Sequence, residues 1–136
     1  MKHRTLKLFA LALAGWGLAV VPAVWSAEPW KVPADESKKK NPVKADAASI
    51  AKGKKIYMER CAICHGEKAD GKGASASALN PPPASFLDKK YMAANSDGDL
   101  FYKTSNGRGM MPRWDIVLEE NDIWSVVNYM RSLGKK

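Results

Sequence analysis

The two cysteines of the chain lie three residues apart and are followed at once by a histidine, in the run Cys61-Ala62-Ile63-Cys64-His65. A Cys-x-x-Cys-His run is the signature of covalent haem attachment. Two thiols on one short turn of helix can each add to one of the two vinyl groups of a single porphyrin. The imidazole that follows then points at the iron. The motif therefore predicts one covalent haem c, bound by Cys61 and Cys64 and ligated by His65.

A Cys-x-x-Cys pair has other uses, namely a dithiol redox site, half of a zinc site or a tight disulfide. Zinc would need two further cysteine or histidine ligands, and the only other histidine is His3, near the N-terminus. A thioredoxin-like site is expected in a βαβ setting, and none is visible around the pair. Haem attachment is therefore favoured over these readings.

Residues 1–26 have the composition of a secretory signal peptide. Basic residues open the chain, and a stretch without any charge runs from Leu8 to Trp25. Cleavage is predicted before Ala27, although Trp25 is bulky for that position. An uncharged stretch of 18 residues is also long enough to cross a bilayer, so an uncleaved anchor in the inner membrane is the alternative. In both cases we expect the remainder of the chain to be exported to the periplasm.

Residues 27–47 are rich in lysine and proline and show no apolar periodicity. This composition predicts an extended, solvated linker. The folded domain is then expected over residues 48–136, a length of 89 residues. A domain of that size has a thin core, and a buried porphyrin would supply much of what its side chains cannot.

The charge balance bears on the partners of the chain. Its 22 Lys and Arg outnumber its 14 Asp and Glu, and residues 1–27 account for three of the basic residues and none of the acidic ones. The exported part therefore keeps 19 basic and 14 acidic residues. A modest positive balance can steer encounter with an acidic redox protein, whereas no nucleic-acid-binding motif is present.

Apolar residues recur at helical spacing at both ends of the domain. They are Ile50, Gly53, Tyr57 and Cys61 in the first stretch and Ile123, Val126, Val127, Met130 and Leu133 in the last. Between them, Ser96 and Asp99 resemble a capping box that opens a short helix ending at Asn106-Gly107. The glycine- and proline-rich stretch over 70–83 predicts a loop. No segment alternates convincingly, so we expect an all-α fold.

A methionine next to a proline is the candidate for the second axial ligand of the iron. Met111 lies 46 residues after His65 and directly before Pro112, between the short helix and the terminal helix. Thioether sulfur is a soft donor that favours ferrous iron, and proline stops a helix from carrying the sulfur away. A Met-Pro dipeptide alone is weak evidence because methionine is usually a core filler. Its position in the chain strengthens the assignment.

Taken together, these motifs resemble the class I c-type cytochromes, in particular small bacterial single-haem members related to the cytochrome subunits of oxidases. The resemblance covers about residues 50–135. It rests on Gly53 and Tyr57, Cys61 to Gly66, the loop with Leu79 to Pro83, Asn106 to Pro112, and Asp122 to Leu133. It implies a cytochrome c fold of three to five short helices around one covalent haem.

The resemblance also implies roles for single residues. Met111, rather than its neighbour Met110, would ligate the iron. The first and last helices would cross at Gly53, packed against Tyr129. The last helix would begin at Glu119 with a weaker cap than the serine often found there. The other N–H of the His65 imidazole would be accepted by a proline carbonyl, from Pro81, Pro82 or Pro83.

These expectations define three functions. The first is an electron carrier of a respiratory chain, which is not an enzyme by itself because His65 and Met111 fill both axial positions. The second is a cytochrome subunit or tethered electron-entry domain of a larger oxidoreductase, for which the linker would be useful. The third is a haem enzyme or gas sensor with an open iron, against which Met111 argues. The donor and acceptor proteins are not identified by the sequence.

Overall fold

The computed structural model describes residues 29–134, so the predicted signal peptide lies outside the described part of the chain. That part contains six α-helices, which run over Ala34–Ser37 (α1), Ala47–Arg60 (α2), Ala62–His65 (α3), Lys89–Ala94 (α4), Asp97–Asn106 (α5) and Glu120–Leu133 (α6). It contains no strand, and the all-α prediction is confirmed. The number of helices exceeds the predicted three to five because α1 and α3 are single turns and α4 was not foreseen. None of the described helices has the length and apolar character needed to span a bilayer.

The two longest helices, α2 and α6, form the frame of the domain. Asp46 caps α2 by accepting a hydrogen bond from the Ser49 backbone N–H at 2.9 Å. Helix α6 begins after Glu119, whose side chain makes no capping bond, as the sequence implied. Eight consecutive residues of α6, from Ile123 to Met130, are buried, so this helix is the centre of the core.

The helices α2 and α6 cross at Gly53. A Cβ atom on Gly53 would overlap the carbonyl group of Ser125 and press on the Val126 nitrogen, so only glycine permits this approach. The resemblance pairs Gly53 with Tyr129 of α6. The nearest atoms belong to Ser125, one turn earlier on α6, and the ring of Tyr129 packs instead on Tyr57, with centroids 5.2 Å apart.

Helix α5 packs on the N-terminal part of α6. The rings of Phe101 and Trp124 stack with centroids 4.0 Å apart, and both are buried. The capping box is confirmed: the Ser96 hydroxyl accepts from the Asp99 N–H at 3.0 Å, and the Asp99 carboxylate accepts from the Ser96 N–H at 2.7 Å. The helix ends at Gly107, as predicted, where φ is +59°.

The described part of the predicted linker packs on the domain rather than extending into solvent. Helix α1 lies against the first turn of α5, and a Cβ atom on Gly98 would overlap the Glu36 carbonyl. The Ser96 hydroxyl donates to the Ser37 carbonyl at 2.6 Å. We call residues 30–43 the N-terminal strap. The lysine and proline content predicted a solvated segment, because composition carries no information about contact partners that lie far away in the sequence.

The strap is fixed to α6 through one asparagine. Asn41 donates from its amide to the Asn128 side chain at 2.8 Å and to the Trp124 carbonyl at 3.2 Å. Asn128 in turn donates to the Val43 carbonyl at 3.0 Å. Buried polar groups that satisfy one another in this way specify a single arrangement of the segments that carry them.

Candidate haem-binding site

The Cys-x-x-Cys-His run lies on the single turn α3, which follows α2 after one residue. Cys61 ends α2, with its N–H donating to the Tyr57 carbonyl at 2.8 Å, and it also opens α3 by accepting from the His65 N–H at 2.9 Å. The structure thus brings Cys61, Cys64 and His65 together on one turn, as the motif required. No disulfide joins Cys61 to Cys64, and both residues are half-buried.

Burial affects the thiol of Cys61. It raises the pKa of that thiol to about 12, and the neighbouring Cys64 acts in the same direction. The Cys61 sulfur is therefore neutral at physiological pH and sits in apolar surroundings. A raised pKa disfavours the thiolate form that a nucleophilic cysteine or a zinc site needs. In the described part of the chain, no group of three or more His, Cys, Asp or Glu could hold a metal ion.

The glycine-rich loop that follows α3 satisfies the carbonyls of this turn. Gly71 N–H donates to the His65 carbonyl at 2.8 Å, Gly73 N–H to Cys64 at 3.1 Å, and Ser75 N–H to Ile63 at 2.9 Å. A single helical turn offers no intrahelical N–H donors to these carbonyls, so N–H groups of the loop donate to them instead. A Cβ atom on Gly73 would overlap the Ile63 carbonyl, which explains why the loop carries no side chain there.

The imidazole of His65 is oriented by one hydrogen bond and one ring contact. Its Nδ1 lies 3.0 Å from the Ala84 carbonyl oxygen, and its ring stacks on Phe86 with centroids 4.9 Å apart. Burial lowers the pKa of His65, while the bond to Ala84 opposes that shift. A neutral imidazole with its proton on Nδ1 leaves the Nε2 lone pair for a metal, the usual arrangement of an iron-ligating histidine.

The predicted acceptor for His65 is corrected by one residue. The carbonyl belongs to Ala84, directly after the run Pro81-Pro82-Pro83, and not to any of the three prolines. Pro83 instead lies against the glycine-rich loop, where its carbonyl approaches Gly71. The prolines stiffen the approach to Ala84 without providing the acceptor.

A series of buried aromatic rings connects the crossing of α2 and α6 with His65. Tyr129 packs on Tyr57, and Tyr57 meets the edge of Phe86 with centroids 6.2 Å apart. The Tyr57 hydroxyl donates to the Gly66 carbonyl at 2.8 Å, directly after the motif. Phe86 is itself fixed by its N–H, which donates to the Ala69 carbonyl at 2.8 Å. The core and the histidine therefore form one continuous packed unit.

Met111 comes from a separate loop after α5. Its N–H donates to the Arg108 carbonyl at 3.1 Å, and its carbonyl accepts from the Arg108 N–H at 2.9 Å. The turn passes through Gly109, whose φ is +59°. Met111 is half-buried, whereas 73 % of the Met110 side chain is exposed. These exposures favour Met111 over Met110 as the residue that faces the interior.

The donor set fits a haem iron. A neutral imidazole and a thioether are a pair of axial ligands known for c-type haem, and two thiols on the turn that carries the imidazole match covalent attachment. Sequence reasoning missed Ala84 and Phe86, which orient His65. The one available signal was their position shortly after Pro81-Pro82-Pro83. A run of prolines stiffens the backbone and can hold the next carbonyl in a fixed place.

Comparison with known proteins agrees with this site. The family model for cytochrome c matches residues 50–134, so the chain belongs to the cytochrome c family. Family membership establishes covalently bound haem c as its cofactor, in keeping with the Cys61 and Cys64 pair.

The chain is similar to two kinds of cytochrome. It is 37% identical over 90 residues to the cbb3-type cytochrome c oxidase subunit CcoP of Azospirillum brasilense, an alignment that covers 65% of this chain and 30% of that protein. It is 33% identical over 85 residues to cytochrome c6 of Cladophora glomerata, covering 62% of this chain and 89% of that protein. The chain thus spans under a third of the oxidase subunit and most of the cytochrome c6.

A solved structure shares the fold. A chain of the Kuenenia stuttgartiensis reducing HAO-like protein complex superposes with a TM-score of 0.60 at 30% identity. The superposition covers 68% of this chain and 46% of that one. Domains of this fold are therefore found both alone and inside larger proteins, and fold by itself does not separate the two uses.

Proposed function

We propose that this chain is a single-haem c-type cytochrome that carries electrons in a bacterial periplasmic or membrane-associated respiratory chain. It would accept one electron from a donor protein and deliver it to an acceptor protein, with no substrate turnover of its own. The bound haem would supply an iron that alternates between the ferric and ferrous states. The protein's part is to fix the ligands so that little rearrangement accompanies each transfer.

In this proposal four residues have distinct tasks. Cys61 and Cys64 form thioethers to the haem, so the cofactor is retained in both oxidation states. His65 provides Nε2 as one axial ligand, and Met111 provides its sulfur as the other. Because a thioether favours ferrous iron, the His/Met pair would raise the reduction potential.

The observation that carries the proposal is the setting of His65. Its Nδ1 donates to the Ala84 carbonyl, and its ring lies on buried Phe86, on the turn that also presents both thiols. This arrangement fixes the tautomer of His65 and the direction of its Nε2. A dithiol redox site would not need an oriented imidazole.

An open-iron enzyme or gas sensor is the less favoured function. The Met111 loop closes on itself through the two bonds with Arg108, and Met111 is half-buried. A methionine positioned in this way would occupy the sixth position of the iron. Carbon monoxide binding to the reduced wild-type protein tests the choice, since a carrier with both positions filled should bind it weakly.

A cytochrome subunit or tethered electron-entry domain is the second candidate. The similarity to CcoP supports it, because the matching part of that oxidase subunit is only 30% of its length. The strap also supports it, since residues 30–43 fix the path of the chain along the domain. In that case the acceptor would be a larger complex to which the domain is attached.

Location and partners follow from the N-terminal sequence and the charge. We propose export through residues 1–26, either cleaved as a signal peptide or kept as an inner-membrane anchor. The excess of basic residues in the exported part, 19 against 14 acidic ones, would favour redox partners with an acidic docking face. Nucleic acid is not expected as a partner.

Purification of the native protein from its own membranes and periplasm separates the two leading functions. A carrier should be recovered alone and should exchange electrons with added redox proteins. A subunit should co-purify with an oxidoreductase in fixed ratio. Recovery of a protein whose haem is released by acidic organic solvent would refute both, because each requires thioethers at Cys61 and Cys64.

A further inference from the structure

Trp30, near the start of the strap, lies against two cationic side chains. The Arg108 guanidinium carbon is 5.3 Å from the centre of its ring, and the Lys103 ammonium nitrogen is 5.8 Å from it. Both distances fall within the range of favourable cation–π contacts, for which tryptophan is the best aromatic partner. Trp30 is half-buried in this position.

One of these cations belongs to the loop of Met111. Arg108 exchanges two backbone hydrogen bonds with Met111, so the position of its backbone and that of the methionine are tied together. The other cation, Lys103, is on the last turn of α5, and its ammonium donates to the Asn95 side-chain oxygen. Trp30 therefore bridges the rigid helix α5 and the loop that carries the axial methionine.

The position of Trp30 is fixed by attachments of the strap that lie several residues further along the chain. Three separate attachments fix it to the domain: the approach of Glu36 to Gly98, the Ser96 bond to the Ser37 carbonyl, and the Asn41 bonds to α6. A tryptophan on a free linker would lose side-chain and backbone entropy on each contact. On a strap that is already ordered, that loss is much smaller.

We propose that Trp30 is a positioning residue for the sixth ligand, acting through Arg108 to keep the Met111 loop closed over the iron. The inference rests on the proposed ligation by Met111. The strap is then more than a spacer between the domain and its export signal, because its removal would favour the state in which methionine has left the iron.

The loop around Met111 is exposed at its tip and packed at its base, where a Cβ atom on Gly107 would overlap the Met111 carbonyl. On one side, Gly109 has open space around its Cα, and 73 % of the Met110 side chain is exposed. On the other side, the Trp114 N–H donates to the Ser105 carbonyl at 3.0 Å, beyond the methionine. Arg108 lies in the exposed tip, so a contact that fixes Arg108 would change the fraction of molecules in which the Met111 loop is open.

Imidazole binding to the ferric holoprotein measures that population, since an external ligand binds only after the methionine leaves. Its apparent affinity rises in proportion to the open fraction. We expect Trp30→Ala to raise the affinity about five- to thirtyfold, the factor for losing two contacts of this kind. Trp30→Phe should give an intermediate value.

Two further variants separate the clamp from general destabilisation. Gly98→Ala places a methyl group into the Glu36 carbonyl and should displace the strap while leaving Trp30 unchanged, so imidazole affinity should rise here too. Val126→Ala removes buried volume from α6 but no atom that bonds to the strap, and it should lower the free energy of unfolding with unchanged imidazole affinity.

Hydrogen exchange of the Met111 and Arg108 amides in the full-length holoprotein gives an independent readout. Both amides should exchange faster in Trp30→Ala and in Gly98→Ala, and at the wild-type rate in Val126→Ala. Unchanged imidazole affinity and exchange in Trp30→Ala would overturn the inference while leaving Met111 as ligand. A wild-type protein without the far-red absorption of methionine-ligated ferric haem would overturn the proposed ligation, and the clamp with it.

Discussion

The two sides of the proposed iron site are built very differently. On the histidine side, the His65 imidazole contacts the Ala84 carbonyl and buried Phe86, and its backbone is fixed by the glycine-rich loop. On the methionine side, Met111 exchanges two backbone bonds with Arg108 and its carbonyl lies close to Gly107, beside an exposed Met110. The domain thus surrounds the ligand next to the covalent attachments with its aromatic core, whereas the other ligand is held by backbone contacts on a loop with an exposed tip.

This difference indicates which ligand can be exchanged. Displacing His65 would require Phe86, Tyr57 and the crossing of α2 and α6 to shift together, because close-packed interiors do not deform locally. Displacing Met111 would require only a turn of a few residues to open. Local opening of this kind draws on the least stable segments of a fold.

The largest effect is expected from the cysteines. Cys61→Ala or Cys64→Ala should abolish stable holoprotein made with maturation machinery, because each removes a covalent bond and weakens the delivery of His65. Ile63→Ala is the matched control, since this side chain lies between the cysteines and is 56 % exposed. Haem staining after denaturing electrophoresis checks the result, and haem retained by the double variant Cys61→Ala/Cys64→Ala would contradict thioether attachment.

The next effect tests the rigidity of the histidine side. Phe86→Ala should lower the free energy of unfolding of the holoprotein by about 3–5 kcal/mol, because a buried ring is lost beneath His65. Leu87→Ala, at a neighbouring residue that is 46 % exposed, should cost much less. Denaturant unfolding measures both. Equal losses would mean that Phe86 is not part of the packed unit that holds the imidazole.

A pair of glycines compares the two sides directly. Gly73→Ala places a methyl group into the carbonyl of Ile63 on the turn of the haem motif and should cost about 3 kcal/mol. Gly109→Ala, in the methionine loop, has open space and should cost only about 1 kcal/mol, for its left-handed backbone. Thermal unfolding of both holoproteins checks the order, and a reversed order would contradict the contrast between the two sides.

The smallest effect concerns the helix that leads into the methionine loop. Ser96→Ala removes the cap of α5 and the bond to the Ser37 carbonyl, and should cost about 1 kcal/mol of unfolding free energy. Ser77→Ala, an exposed serine of the 3-10 turn at Ala76–Ala78, is the control and should be neutral. A loss of stability equal to that of Phe86→Ala would mean that the Ser96 bonds contribute as much to the fold as a buried core ring does.

The sequence predicted those parts of the molecule that follow from local pattern. Apolar spacing located α2 and α6, the Ser96 and Asp99 pair located the start of α5, and the close approach at Gly53 followed from an unexpected glycine in a helix. Each of these signals lies within a few residues of the feature that it predicts. The spacing of Cys61, Cys64 and His65 is a local signal of the same kind.

Long-range backbone contacts were missed for a physical reason. The acceptor for His65 is a main-chain carbonyl at Ala84, and any residue type offers a carbonyl, so the side chain there carries no signal. The docking of the strap depends on Asn41 meeting α6 more than 80 residues later. Composition described that segment as solvated because it cannot report such distant partners.

The central claim is that Met111 completes the iron site, and ferric absorption spectroscopy with redox titration tests it most directly. The wild-type protein should show the weak far-red charge-transfer absorption of methionine ligation. Met111→Ala should lose it, lower the reduction potential and bind carbon monoxide when reduced, because a hard or absent ligand favours ferric iron. Met110→Ala should retain all wild-type properties. Loss of the absorption in Met110→Ala but not in Met111→Ala would move the ligand by one residue, and carbon monoxide binding by the wild type would contradict the carrier function itself.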